Sequence, residues 1–399
     1  MDTGKNRIVG KNTKRALKST LFAVLLSVSL SFEGLAAMTA DGPGAAYESV
    51  KENTEDTAST EDAQFAKELI TEGPISMDVV YGYDNVAKSG RFLPLDIQLG
   101  NDQETDFNGV LTVTSREPDY DGYSNSSQVK YDAYRYEFPV TIEANGSLEK
   151  KLNISLSSHS DVMYISLYDE NEKQVLNKRL KMDLNTQIAQ LFIGVLSDAP
   201  QKLSYLDQVG VNYSMLRTRT IDLTVYDLPD TELGLDQLDV LLITDFNTQA
   251  LTQEQTDAIL EWVHGGGILL LGTGDRGEET LSAFSKQLLE YPVQPASLYH
   301  LHMGADRGIK DWVDDELILN CTEVNLKGGT DLLTSDSFTV LSSTTMGNGM
   351  AAAAIFDFTD LEEYCSKDSS YIDHFLTALL GEDRINNLNS NAGGGNYNQ

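Results

Sequence analysis

Between residue 75 and about residue 182, apolar or aromatic side chains fall on every second position. The segments 91–99, 109–114, 134–138, 152–156 and 163–168 show it, flanked by 77–81 and 175–182. A period of two puts one face of a strand in a core and the other in water. Seven short strands follow one another here, separated by turns containing Asn, Gly and Asp, with no helical periodicity between them. About seven strands in about 110 residues predict an immunoglobulin-like β-sandwich over residues 75–185. Pro94 and Pro139 are expected at an edge or a bulge, because proline donates no ladder hydrogen bond.

From residue 190 the pattern changes. Residues 191–196, 240–243 and 268–271 are unbroken apolar runs, and strands that are apolar on both faces belong to parallel sheets covered by helices. Between the second and third runs, Thr252 and Gln255 have the spacing of a capping box. Ile259, Trp262 and Val263 then share one helical face, and Gly265 to Gly267 stop the helix. Further strands are expected near 220–226, 317–319, 338–342 and 350–356, with a last helix over 370–380. Strand and helix alternating in this way predict an α/β doubly wound domain, flavodoxin-like in its winding, over residues 190–385.

The ends carry different signals. Lys5, Arg7, Lys11, Lys14, Arg15 and Lys18 precede an uncharged apolar run from about Leu21 to Phe32, and small residues follow. This is the order of a secretory signal peptide, and the run is shorter than the roughly 20 residues that span a bilayer. Residues 1–37 are therefore expected to be removed on export, and no later run approaches membrane-spanning length. Residues 38–74 are acidic and poor in large apolar groups, which predicts a disordered linker. Residues 386–399 are rich in Asn and Gly and are also expected to be disordered.

Losing residues 1–37 removes six basic and two acidic side chains and takes the formal charge from −32 to −36. Such a chain repels polyanions, and no Lys/Arg cluster remains to displace counterions from phosphates, so nucleic acid is excluded as a partner. Cys321 and Cys365 are too few for a disulfide scaffold, though export would permit one bridge.

Four segments carry a resemblance: Gly90-Arg91-Phe92-Leu93-Pro94-Leu95, Ile193-Gly194-Val195-Leu196-Ser197-Asp198, Leu238-Asp239-Val240-Leu241-Leu242-Ile243 and Trp262-Val263-His264-Gly265-Gly266-Gly267. They resemble clostridial-type envelope proteins in which a β-sandwich precedes a class I glutamine amidotransferase-like domain. The resemblance covers most of residues 75–385. An active amidotransferase sets a cysteine on a sharp turn after a central strand, paired with histidine and glutamate. The comparable turn here is Leu271-Gly272-Thr273-Gly274-Asp275-Arg276, with Gly274 where the thiol belongs. The resemblance thus implies a catalytically silent domain. Family members continue into transmembrane helices, which implies membrane association only through a partner or an anchor missing from this sequence.

In an open α/β sheet, ligands bind beyond the carboxyl ends of the strands. That rule brings together Ser197, Asp198, Asp245, Asn247, Thr273, Asp275 and Arg276 as ligand-binding candidates. The turn at Gly272 to Gly274 offers backbone N–H groups to an anion, but it lacks the lysine of a phosphate loop and is flanked by Asp275, Glu278 and Glu279. His300 and His302 share a strand face, yet two ligands do not make a metal site. Tyr120, Tyr123, Tyr131, Tyr134 and Tyr136 suit either recognition or strand packing. No cofactor is expected. These features predict an exported cell-envelope or extracellular interaction or sensing protein with an envelope protein or glycan partner. The alternative is an exported hydrolase acting on a wall or glycan substrate through Asp198, Asp245 and Asp275.

Overall fold

The computed structural model describes residues 73–83, 85–119, 130–156, 162–182, 189–301, 317–335 and 338–392. The expected signal peptide, nearly all of the acidic linker, Tyr120, Tyr123 and His302 lie outside the described residues.

The alternating segments form β1 (Ile75–Tyr81), β2 (Phe92–Asn101), β3 (Phe107–Asp119), β4 (Lys130–Ile142), β5 (Ser147–Ser155), β6 (Val162–Asp169) and β7 (Gln174–Lys181). They build two antiparallel sheets, ordered β1-β2-β5 and β4-β3-β6-β7. The inward residues of both sheets, among them Val79, Ile97, Leu111, Ile142 and Ile165, share one core. Pro139 lies on the edge strand β4. Pro94 instead sits in the central strand β2, paired with Asn153 of β5. Its carbonyl accepts from the Gly82 N–H just past the end of β1, so its missing donor faces a turn and no ladder bond is lost.

The second region departs from the doubly wound expectation. It contains β8 (Gln190–Leu196), β9 (Gly210–Val211), β10 (Leu216–Leu223), β11 (Val240–Ile243), β12 (Ile268–Gly272), β13 (Ser297–Leu301), β14 (Leu317–Cys321), β15 (Thr330–Ser335), β16 (Phe338–Met346) and β17 (Gly349–Ala354). Eight of them form one mixed sheet, ordered β15-β16-β17-β12-β11-β8-β10-β9, and β13 pairs with β14 alone. The five strands from β10 to β17 run parallel. Beyond them the pairings β10-β9, β17-β16 and β16-β15 are antiparallel.

Among the described residues only two α-helices exceed five residues, α1 (Gln253–Gly265) and α2 (Ser370–Ala392). The link from β8 to β10 uses a 3-10 helix and β9, and the link from β10 to β11 holds a four-residue helix, Glu232–Leu235. The path from β12 to β17 is made mostly of short turns and antiparallel pairs. Apolar runs report that both faces of a strand are covered, but not by what. Here much of the cover is not helix, so the domain is a mixed β-rich layer and not a doubly wound α/β fold.

The runs do place their side chains cleanly. Ile193, Val240, Leu242, Leu270 and Ala352 point to one face, where α2 contributes Phe375, Leu376 and Leu379. Phe192, Leu241, Ile243, Leu269 and Ala353 point to the other, where α1 contributes Ile259, Trp262 and Val263. The capping box of α1 is formed, with Gln255 N donating to Thr252 Oγ1 at 3.1 Å and Thr252 N to Gln255 Oε1 at 3.1 Å. Helix α2 kinks at Gly381 (φ 71°) and continues through Asn386, where composition predicts disorder, to Ala392. No described helix is long and apolar enough to cross a membrane.

One polar junction ties the sandwich loop 82–92 to residues 234–239. Tyr83 Oη donates to Gly234 O at 2.7 Å, and Phe92 N to Asp236 Oδ2 at 2.7 Å. Gln237 accepts from Lys88 N and donates to Phe92 O. At its centre Asp239 takes Arg91 at 2.6 Å, the Lys88 ammonium, and the Phe192 N–H at 2.7 Å. Burial lowers Lys88 to about 8, with the Asp239 charge opposing. Burial alone would raise Asp239, but the two cations outweigh it and hold the carboxyl below its usual value.

Candidate functional site

The carboxyl ends of the parallel strands do collect the predicted residues, but as a closed cluster. Just past β12, Arg276 donates to Asp198 Oδ2 at 2.7 Å, to Asp245 Oδ1 at 2.8 Å and to Asp245 O at 3.0 Å. Its other nitrogens hold Glu279 at 2.8 Å. Hydrogen bonds from Arg276 to Asp198, Asp245 and Glu279 raise its own pKa further. Asp245 holds its place with φ 46°, a left-handed backbone uncommon for aspartate. One guanidinium thus serves three carboxylates, Asp198 and Asp245 from two other strand ends and Glu279 from the short helix that follows Arg276.

The remaining candidates serve local structure. Ser197 Oγ accepts from Ala199 N, and Asn247 Oδ1 caps a 3-10 turn by accepting from Gln249 N. Asp275 accepts from Asn320 Nδ2 at 2.9 Å. Thr273 is fully buried and donates to Ala354 O at 2.8 Å. The turn at Gly272 to Gly274, which sequence disfavours as an anion site, is also spent: Thr273 N donates to Phe356 O at 2.9 Å and Gly274 N to Ile355 O at 3.3 Å. Both N–H groups face the end of β17 and not solvent.

Two acids at this rim escaped the sequence reading. Asp357 is buried and accepts from Thr244 Oγ1 at 2.9 Å and Thr359 N at 2.7 Å. Burial raises its carboxyl, those hydrogen bonds opposing. Asp360 is raised by burial and then by the charges of Asp357 and Asp275, with Lys202 opposing. The signal was available, because both residues follow an expected strand in the same way as Asp198 and Asp245 do. Among the described residues no group of three His, Cys, Asp or Glu side chains is arranged to hold a metal. His300 is exposed on β13.

Cys321 and Cys365 are free and buried. Burial pushes each thiol up to about 12, helped by Asp360 at Cys321 and by Asp368 at Cys365. At pH 8 the folded protein should therefore leave Ellman's reagent untouched, whereas denaturant should release two thiols. Fast labelling of the folded chain would show an accessible thiolate.

A second concavity lies at the opposite, amino ends of the strands. It is a cleft of about 660 Å³ between the sandwich and the sheet, lined by Arg91 and Phe92 of the sandwich and by Trp262, Ile268, Arg384 and Leu388, among others. Gly267 lets the backbone lie on the Trp262 ring, since a Cβ there would fall 2.3 Å from it, while a Cβ at Gly265 or Gly266 meets nothing within 4 Å. No motif marks this cleft, because its walls come from segments far apart in sequence.

Residues 74–183 match the model of a domain of unknown function, DUF8726, which covers the sandwich and not the mixed sheet. No curated protein matches the chain. Among solved structures, Cytoplasmic Protein STM1381 from Salmonella typhimurium LT2 is 15% identical with a TM-score of 0.33, over 46% of this chain and 99% of that one. Cytoplasmic Protein STM3548 from Salmonella typhimurium is 15% identical with a TM-score of 0.32, over 47% and 98%. A β-galactosidase from Bacillus circulans sp. alkalophilus is 10% identical with a TM-score of 0.27, over 45% and 31%. Likeness at that level carries no argument about activity, compartment or partner.

Proposed function

We propose that the chain is an exported cell-envelope protein that binds or senses a wall component, an envelope protein or a glycan, without turning it over. The observation that carries this reading is the closed rim. Asp198, Asp245 and Glu279 are committed to Arg276, and both thiols are buried in the neutral form. An acid–base pair needs a proton to move to or from substrate, and a carboxylate held by a guanidinium is a weak base. The basic, apolar and small-residue order of the first 37 residues supports export, as does the resemblance to envelope proteins in segments 90–95 and 262–267.

Insoluble cell-wall polymer incubated with the purified protein tests the reading. Protein should sediment with the polymer while soluble sugar and peptide stay at the level of the blank. The rival reading, a hydrolase working through rim carboxylates, draws on the raised Asp360 beside Asp275. Release of fragments that Asp360→Asn or Asp275→Asn abolishes, at unchanged thermal stability, would establish the rival and overturn ours.

A further inference from the structure

The cleft at the amino ends of the strands has charge of opposite sign on its two walls. Helix α2 covers one face of the sheet, and past its kink at Gly381 it brings Arg384 into the cleft. Arg384 contacts the Met350 sulfur at 3.6 Å and, among the described residues, makes no ion pair. Glu261 of α1 and Glu232 of the short helix come from the opposite face of the sheet. Neither makes an ion pair among the described residues. The other cation of the cleft, Arg91, is consumed by Asp239 and by the carbonyls of Asp236 and Leu238.

The cleft is also lined by the apolar Trp262, Phe92, Leu233 and Leu388 and by the polar Asp236, Asn348 and Asn387. A pocket of several hundred Å³ at a domain junction, with fixed charges of both signs, suits a small polar molecule.

We propose that this cleft binds a short zwitterionic peptide of two or three residues, its carboxylate on Arg384 and its ammonium on Glu232 and Glu261. Arg384 presents a fork of N–H donors matched to a carboxylate, and the two glutamates supply acceptors for an ammonium. The proposal goes beyond the non-catalytic reading of the rim and stands on a different part of the molecule. Either can fail without the other.

The full chain carrying Trp312→Phe keeps Trp262 as its single tryptophan, a reporter within the cleft wall. Trialanine should change its emission saturably, and trialanine amide and N-acetyl-trialanine should each bind at least tenfold more weakly. Arg384→Gln should weaken trialanine at least tenfold while leaving trialanine amide unchanged, since the amide has no carboxylate to lose. Glu261→Gln should act in the mirror sense, weakening trialanine and sparing the N-acetyl form. Thermal melts of each variant confirm that it is folded. No saturable response, or binding indifferent to both blocked termini and to Arg384→Gln, overturns the proposal.

Discussion

Asp239→Ala should lower the unfolding free energy by about 3–5 kcal/mol, the loss expected when one partner of a buried ion pair is removed. Asp239 is almost wholly buried, and three groups depend on it: Lys88, Arg91 and the Phe192 N–H. The alanine leaves two cations enclosed without a counterion and one backbone donor unsatisfied. The loss should be partly recovered by adding Lys88→Met, which removes one stranded charge and keeps an apolar stem beside the Phe192 ring, now 4.7 Å from the ammonium. Urea unfolding measures both. A change below 1 kcal/mol for Asp239→Ala would mean that the junction does not hold the two regions together.

The second large effect is expected at Gly274. Its φ of 58° lies in the left-handed region, and a Cβ there would stand 2.8 Å from Asp357 N and 2.9 Å from Asp357 Cβ. Gly274→Ala combines a left-handed penalty of about 1–2 kcal/mol with overpacking of about 1–3 kcal/mol. The expected loss is about 2–5 kcal/mol, read as a lower denaturant midpoint at unchanged slope. Any side chain at Gly274 would need Asp357 to move. If Gly274→Ala is neutral, the turn has room for a side chain and that argument fails.

Much of this structure is legible from local pattern. Period-two segments mark β1 to β7, and unbroken apolar runs mark β8, β11 and β12, because burial of one or both faces is written directly into side-chain type. The capping box at Thr252 and Gln255 is readable for the same reason: its partners are three residues apart. Strand direction was legible at one point: Gly347-Asn348 between Met346 and Gly349 is a two-residue hairpin turn that sets β16 antiparallel to β17, and that pairing replaces the doubly wound expectation with a mixed sheet. Pro94 shows the finer limit, since a proline is tolerated in a central strand wherever the neighbouring strand has already ended.

The rim was half legible. Position after a buried strand located Asp198, Asp245 and Arg276, and the same rule applied to the last strand would have added Asp357 and Asp360. Their mutual engagement was not legible, because a carboxylate aimed at a ligand and one closed on a guanidinium have the same sequence. The junction and the cleft were invisible for a plainer reason: Lys88 and Asp239 lie 151 positions apart.

Hydrogen exchange of the full chain with and without a soluble cell-wall digest tests most directly whether ligand is held away from the strands' carboxyl ends. The account predicts added protection at 261–268 and 384–388, with exchange at 197–198, 244–247 and 273–279 unchanged and the digest chemically intact. Protection confined to those three rim segments, accompanied by slow cleavage of the digest, would contradict it.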